Sequence, residues 1–407
     1  MALRGTILPS LLFFRRSHLL DARRVATAAA NAFVLLAAGC AVVKRPPTTV
    51  AQLEADRTAA TTRDRATVAT MVDALALRAI RRGDRTIDIL LLSGGGQNGS
   101  YGIGFLRGWR GHADAPMPRF DLVTGVSSGA LQAPFALIGT EASLAAAAGL
   151  YRDAVAKYAP TFDWFFWLFR TGGVLDTTRY RRAIETVFDR EFAGRLGEEL
   201  AEGRQLALST TDLDLGTGRL WNLGAELGPA AQGLERVHSL MLATSAIPGI
   251  FPPVVVDGHV HADGGFVGNL VPVLDFDGYR ALAARLTELG VKEPVTVRVW
   301  VVMNLWTTIE PTVVDPASRR GVSRRGTLIL FWSQQAPLLA ALADLSRAVT
   351  SSVPGLRVEI RSTSIPSHLA LDPAADRLFD AGWMEKLEKL GFERASSAAP
   401  WDEVISR

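Results

Sequence analysis

The stretch Ile87-Asp88-Ile89-Leu90-Leu91-Leu92-Ser93-Gly94-Gly95-Gly96 decides the fold. A short apolar run that ends in glycines has the pattern of a parallel strand buried on both faces and feeding a loop. Residues 101–110 then read as a helix, and the pattern repeats with 120–124 as strand, 125–129 as turn and 130–138 as helix. Two strand-turn-helix units in succession predict an α/β fold, a mainly parallel central sheet covered by helices. Further strands are predicted at 205–209, 254–256 and 295–303, and helices at 179–188, 234–243, 338–349 and 384–389. Residues 50–82 have helical spacing and read as a surface helix behind a Pro/Thr-containing tether.

Gly125-Val126-Ser127-Ser128-Gly129 falls at the second strand-to-helix turn. A nucleophilic serine there sits on a sharp, strained turn, and Gly125 and Gly129 are needed because a Cβ would strike the neighbouring strand or helix. The helix that starts at this turn points its positive end at the serine. Gly94-Gly95-Gly96-Gln97-Asn98-Gly99 ends the first strand. Taken alone it fits a dinucleotide loop, but the acid expected about 20 residues on has no good counterpart, since Asp121 opens its strand instead of closing it. Beside a serine elbow, the amides of Gly94, Gly95 and Gly96 fit an oxyanion hole, each donor worth about 3–4 kcal/mol of barrier. Asp263-Gly264-Gly265 supplies an acid at a strand end that glycines allow to approach another loop closely.

In their order and spacing these three motifs resemble the patatin-like phospholipase family, whose pattern is G-G-G-x-x-G, G-x-S-x-G, then D-G-G or D-G-A. The stretch from Ala243 to Pro253 and the Asn269-Leu270 and Pro272-Val273 pairs match it too, so the resemblance covers residues 87–274. It implies a three-layer α/β/α fold, a Ser127–Asp263 dyad with no catalytic histidine, and fatty-acyl esters of phospholipids, lysophospholipids or simpler alcohols as substrates. Neither a metal nor another cofactor is expected. The chain has Ser93 and Asn98 where the family commonly has an acid and an arginine.

Two rivals stand beside that reading. His368 follows Asp263 in the chain and gives the order of an α/β-hydrolase triad; alternatively, the chain is a lipid-binding protein on a decayed hydrolase fold. On a strand His259, His261 and Asp263 share one face, which suits a structural hydrogen bond or a metal site. The aromatic run at 162–170 is either a lid that meets acyl chains or core packing, and Arg319, Arg320, Arg324 and Arg325 either meet anionic headgroups or form a solvated loop.

The 407 residues hold 44 Lys+Arg against 41 Asp+Glu and one cysteine, Cys40. A single cysteine excludes disulfide-stapled folds and multi-cysteine zinc sites. Five arginines crowd the first 24 residues, then 25–38 is free of charge and Leu36-Ala37-Ala38-Gly39 leads into Cys40. This resembles the lipobox of bacterial lipoproteins, which implies cleavage before Cys40, acylation of Cys40 and a cell-envelope location, with an uncleaved single N-terminal anchor as the alternative. Without residues 1–39 the balance is 39 basic to 40 acidic, so no support for a nucleic-acid partner remains. The expected layout is signal 1–39, tether and helix 40–85, catalytic domain 86–275, and an α/β extension 276–407 that completes the domain.

Overall fold

The computed structural model describes residues 45–153, 157–164 and 171–402. Cys40 and the signal, together with residues 165–170 of the aromatic run, lie outside the described residues. The first helix, α1 (Val50–Arg82), opens on a capping box between Thr49 and Gln52 and ends at Gly83 in the left-handed conformation. After it come β1 (Thr86–Leu92), α2 (Gly99–Arg110), β2 (Leu122–Gly125), α3 (Ser128–Ile138) and α4 (Glu141–Asp153). A small ribbon of β3 (Thr161–Phe162) and β4 (Leu175–Asp176) leads to α5 (Thr178–Val187), α6 (Arg190–Ala201), β5 (Gln205–Asp212) and β6 (Thr217–Asn222). Next are α7 (Leu223–Leu227), α8 (Leu234–Thr244), β7 (Val254–Val256), β8 (His259–Asp263) and α9 (Phe276–Glu288). The chain continues through β9 (Val295–Met303), α10 (Arg319–Trp332), α11 (Gln335–Ser352), β10 (Leu356–Ser364) and α12 (Ala381–Ala395).

The main sheet runs β10-β9-β1-β2-β5-β8-β7, with β6 also on β5. Its first five strands are parallel; β6, β7 and β8 are antiparallel additions at one side. The alternation of β1 divides the core into layers. Ile87, Ile89 and Leu91 pack with Met71 and Leu75 of α1 and with residues of α9 and α11, while Leu90 and Leu92 face Ile103, Phe105 and Leu106 of α2 and the apolar side of α3. Strands β9 and β10 lie next to β1, so residues beyond 275 supply two strands of the same sheet. Helices α2 and α12 cross with their backbones almost touching: a Cβ on Gly104 would stand 2.0 Å from the Glu388 carbonyl oxygen, and one on Gly391 2.1 Å from that of Tyr101.

The sequence pattern does not show β6 or β10, and Arg319, Arg320, Arg324 and Arg325, expected either to meet anionic headgroups or to form a solvated loop, stand on α10. β10 is an edge strand whose Arg357, Glu359 and Arg361 interrupt the apolar run. From Arg319 to Leu330 α10 buries no residue fully, so this stretch lacks the core-facing stripe by which helices are recognised.

Asp88 and Asp121 are fully buried at the end of the sheet away from the glycine loops. Arg298 grips Asp88 with two hydrogen bonds of 2.7 and 2.6 Å, and the Trp300 indole donates to it at 2.9 Å. Asp121 takes Arg78 at 2.8 Å, Arg82 at 2.6 Å and the Asp88 amide at 2.8 Å. Arg78 and Arg82 belong to α1, so the pair of carboxylates ties that helix to the first two strands. Removing one partner of a buried ion pair costs about 3–5 kcal/mol, because the other charge stays buried. Asp121→Ala is therefore expected to lower stability by that amount in urea unfolding; a loss below about 1 kcal/mol, the range of surface pairs, would contradict the role given to this cluster.

Candidate active site

The site is made by the way β5 shares its edges. On one edge β6 pairs with residues Ala207 to Asp212. The other edge carries β2 in parallel as far as Gly125 opposite Leu208, and then β8 in antiparallel, with Asp263 opposite Thr210. β2 must leave the sheet where β8 begins, and it leaves through the glycine-flanked turn. Ser127 sits on that turn at φ 52 and ψ −125, a conformation worth roughly 1–3 kcal/mol of strain for a residue with a Cβ. A Cβ on Gly125 would lie 2.5 Å from the Ala130 backbone, and one on Gly129 2.4 Å from the Leu92 carbonyl oxygen. Thr244 pins the turn, accepting from the Ser127 amide at 3.0 Å and donating to the Ser209 carbonyl at 2.6 Å.

The structure brings Asp263 to Ser127, with the serine hydroxyl near enough to its carboxylate to favour the ionised form. The Gly265 amide donates to the same carboxylate at 2.8 Å, and Gly264 fits where a Cβ would strike the Ser209 carbonyl oxygen at 2.5 Å. Asp263 is only 5% exposed. Burial pushes its carboxyl up to about 6, against the opposing pull of the bonds from Ser127 and Gly265.

In the glycine loop the three amides are not equivalent. Gly94 donates its N–H to Asn269 Oδ1 at 3.0 Å, which corrects the expectation that all three amides are oxyanion donors. Gly94 is instead a close-packing position, where a Cβ would lie 2.9 Å from that of Ser127. Gly95 abuts the Asn304 carbonyl, Gly96 lines the cavity beside Ser127 at φ 57, and Gly99 opens α2. Asn304 braces the loop by donating its amide to Ser93 Oγ at 2.8 Å and its side chain to the Ser93 carbonyl at 2.7 Å. The C-terminal segment holds the loop from outside: Gln97 Nε2 donates to the Ala374 carbonyl at 3.1 Å, Gln97 Oε1 accepts from the Asp380 amide at 2.7 Å, and the Trp383 indole donates to Asn98 Oδ1 at 2.7 Å. Thr244 and Asn269 lie in stretches already matched to the family pattern, yet nothing in sequence spacing gave them roles. Asn304, Gln97 and Trp383 carried no signal at all.

Ser127 opens onto a cavity of about 950 Å³ counted with its mouth. Its walls are largely apolar: Leu131 of α3, Leu150 of α4, Ala183 and Ile184 of α5, with Phe188, Phe251 and Phe379. Phe162 and Trp164, the described part of the aromatic run, are exposed and stack edge to face, and neither lines this cavity. His368 lies on an exposed turn and joins neither the cavity wall nor the described partners of Asp263, so the triad order does not become a triad in space. His261 is buried, with its Nδ1 against Thr210 Oγ1 at 2.9 Å. His259 lies between Asp212 at 3.0 Å and Asp56 at 3.3 Å, and it groups with Asp212 and Asp214, not with Asp263.

An elbow serine beside a buried carboxylate at the wall of an apolar cavity is the arrangement of an acyl-hydrolase site. Residues 90–277 match the family model described as patatin-like phospholipase. Among curated proteins none matches the chain. The crystal structure of VipD from Legionella pneumophila is similar at 13% identity over 76% of this chain and 66% of that one, so this chain spans just under two-thirds of VipD's length. The TM-score of 0.34 is too low for that likeness to carry an argument.

The raised carboxyl has a consequence for stability. Below about pH 4 Asp263 is protonated in both folded and unfolded chains; between about 4 and 6 only the unfolded chain ionises, so stability falls as pH rises, and above 6 the loss is constant. At 1.36 kcal/mol per pH unit the loss is on the order of 2–3 kcal/mol. Asp263→Asn is expected to recover much of it in denaturant unfolding at pH 7.5 and nearly none at pH 4. A gain of equal size at both pH values would mean that ionisation is not its source.

Proposed function

We propose that this chain is a serine acyl-ester hydrolase acting on lipids, with Ser127 as nucleophile and Asp263 as the base. The observation that carries this reading is the closeness of the Ser127 hydroxyl to a desolvated Asp263 at the wall of an apolar cavity. Ser127 Oγ attacks the ester carbonyl carbon while its proton passes to Asp263. The tetrahedral oxyanion forms beside the amides of Gly95 and Gly96, with Gly94 already committed to Asn269. The ester C–O bond then breaks and Asp263 returns the proton to the leaving alcohol. Water repeats the sequence on the acyl-enzyme, giving its proton to Asp263 and restoring Ser127 when the fatty acid leaves.

A carboxylate of ordinary basicity is a poor match for a serine hydroxyl, and burial moves Asp263 toward the working range. The apolar walls suit an acyl chain, each buried methylene being worth about 0.8 kcal/mol, or roughly fourfold in kcat/KM. Asn98 replaces a cationic family position and is taken up by Trp383, so polarisation of the carbonyl rests on the backbone amides.

A fluorophosphonate probe is expected to label the protein at Ser127, with labelling lost in Ser127→Ala, greatly slowed in Asp263→Asn and retained in His368→Ala. kcat/KM for an ester should fall about tenfold per pH unit below about 6 as Asp263 takes up its proton. A folded protein that never labels, or one that loses labelling with His368, would defeat the dyad reading.

The sequence around Cys40 supports delivery to a bacterial cell envelope as a lipoprotein. Radiolabelled palmitate should enter the wild type and be absent from Cys40→Ser; label that survives the substitution would reject Cys40 as the attachment point.

A further inference from the structure

Helix α10 is anomalous in a chain with so large a core, because none of its residues from Arg319 to Leu330 is fully buried. Its inward row is short. Leu328 packs on the cluster that holds Trp306 and Trp383, and Arg325 donates to the Glu310 carbonyl at 2.8 Å. The outward row is apolar: Val322, Ile329 and Leu330 recur at the i, i+7, i+8 spacing of one helix face, and Leu330 is 64% exposed. Arg319 and Arg320 flank this row one turn before Val322. Both are exposed and have no ion-pair or hydrogen-bond partner among the described residues. Residues 316–343 contain no acidic residue, so no carboxylate on this element or the start of α11 neutralises Arg319 and Arg320.

An exposed apolar stripe bordered by unpaired cations is the surface of a helix that lies flat in a membrane interface, with its apolar side among acyl chains and its cations at anionic headgroups. Position favours the same occupant. α10 follows β9, whose C-terminal neighbour Asn304 braces the glycine loop. It shares a surface hollow with Leu371, and the chain from there reaches Leu378 and Phe379 at the wall of the Ser127 cavity. Leu371 and Leu378 are themselves 51% and 54% exposed, continuing the apolar surface toward the site. We propose that the outward face of α10, formed by Val322, Ile329 and Leu330 with Arg319 and Arg320, docks the protein on an anionic lipid bilayer and presents that bilayer to the Ser127 cavity. The choice of a lipid surface as occupant rests on the acyl-ester reading of the site.

The test is flotation of the full chain with phosphatidylcholine vesicles with and without phosphatidylglycerol. Ser127→Ala keeps the vesicles intact and Cys40→Ser removes acylation as an anchor. The parent should bind the anionic vesicles more tightly. Arg319→Gln/Arg320→Gln should weaken that binding roughly thirtyfold, at about 1 kcal/mol for each basic residue near the surface. Ile329→Ser/Leu330→Ser should weaken binding to both kinds of vesicle, and unchanged thermal midpoints would show that these exposed substitutions leave the fold intact. Variants that float like the parent overturn the inference and assign the contact to the apolar N-terminal segment; a parent that does not bind, or that binds both vesicles equally, overturns it as well. Hydrolysis of soluble p-nitrophenyl butyrate, with Ser127 intact, should not change in the α10 variants. A parent that lacks this hydrolysis but binds vesicles through α10 would refute the hydrolase reading and leave the docking face standing.

Discussion

A strand has two edges, and β5 must serve three partners with them. β6 fills one edge, so β2 and β8 divide the other in series, one ending opposite Leu208 and the next beginning opposite Thr210. That division forces β2 out of the sheet into the turn that carries Ser127, and it places the last residue of β8, Asp263, at the point of departure. The Ser127 and Asp263 side chains, 136 positions apart in the chain, thus meet through backbone register. The glycines around them follow as a packing requirement, since neither Gly125 nor Gly129 has room for a methyl group.

The same closeness puts Asp263 out of reach of water. Its carboxylate has the Gly265 amide and the Ser127 hydroxyl beside it and no cation among its described partners, which is a poor arrangement for stability and a good one for a base. Tension of this kind is common at functional sites, where residues tuned for chemistry are held in unfavourable states by a rigid surround. Here the surround includes the buried carboxylate cluster at the other end of β1 and β2, where Arg78, Arg82 and Arg298 satisfy Asp88 and Asp121 fully. One end of the sheet has its charges matched, and the other leaves one charge unmatched.

Much of this was legible in the sequence. The apolar run from Ile87 to Leu92 and the two strand-turn-helix units gave the parallel sheet, and the ordered glycine motifs gave Ser127 and Asp263, because both features depend on local pattern. What stayed hidden depends on distant partners. The engagement of the Gly94 amide by Asn269 links positions 175 apart, and no periodicity reports such a bond. α10 gives no helix signal in the sequence because its apolar stripe faces outward, where a pattern tuned to core burial does not look. His368 shows the opposite failure: its place in the chain suited a triad, while its place in space is an exposed turn.

The clasp on the glycine loop has a consequence in time. Gln97 and Asn98 take their partners from Ala374, Asp380 and Trp383, at separations of 277 to 285 residues. Synthesis at about 5–20 residues per second puts the last of these partners on the order of 15 to 60 seconds behind the loop it holds. For that interval the growing chain has its serine but not the outer support of the glycine loop beside it. The order of translation therefore leaves this site unfinished until nearly the final helix has left the ribosome.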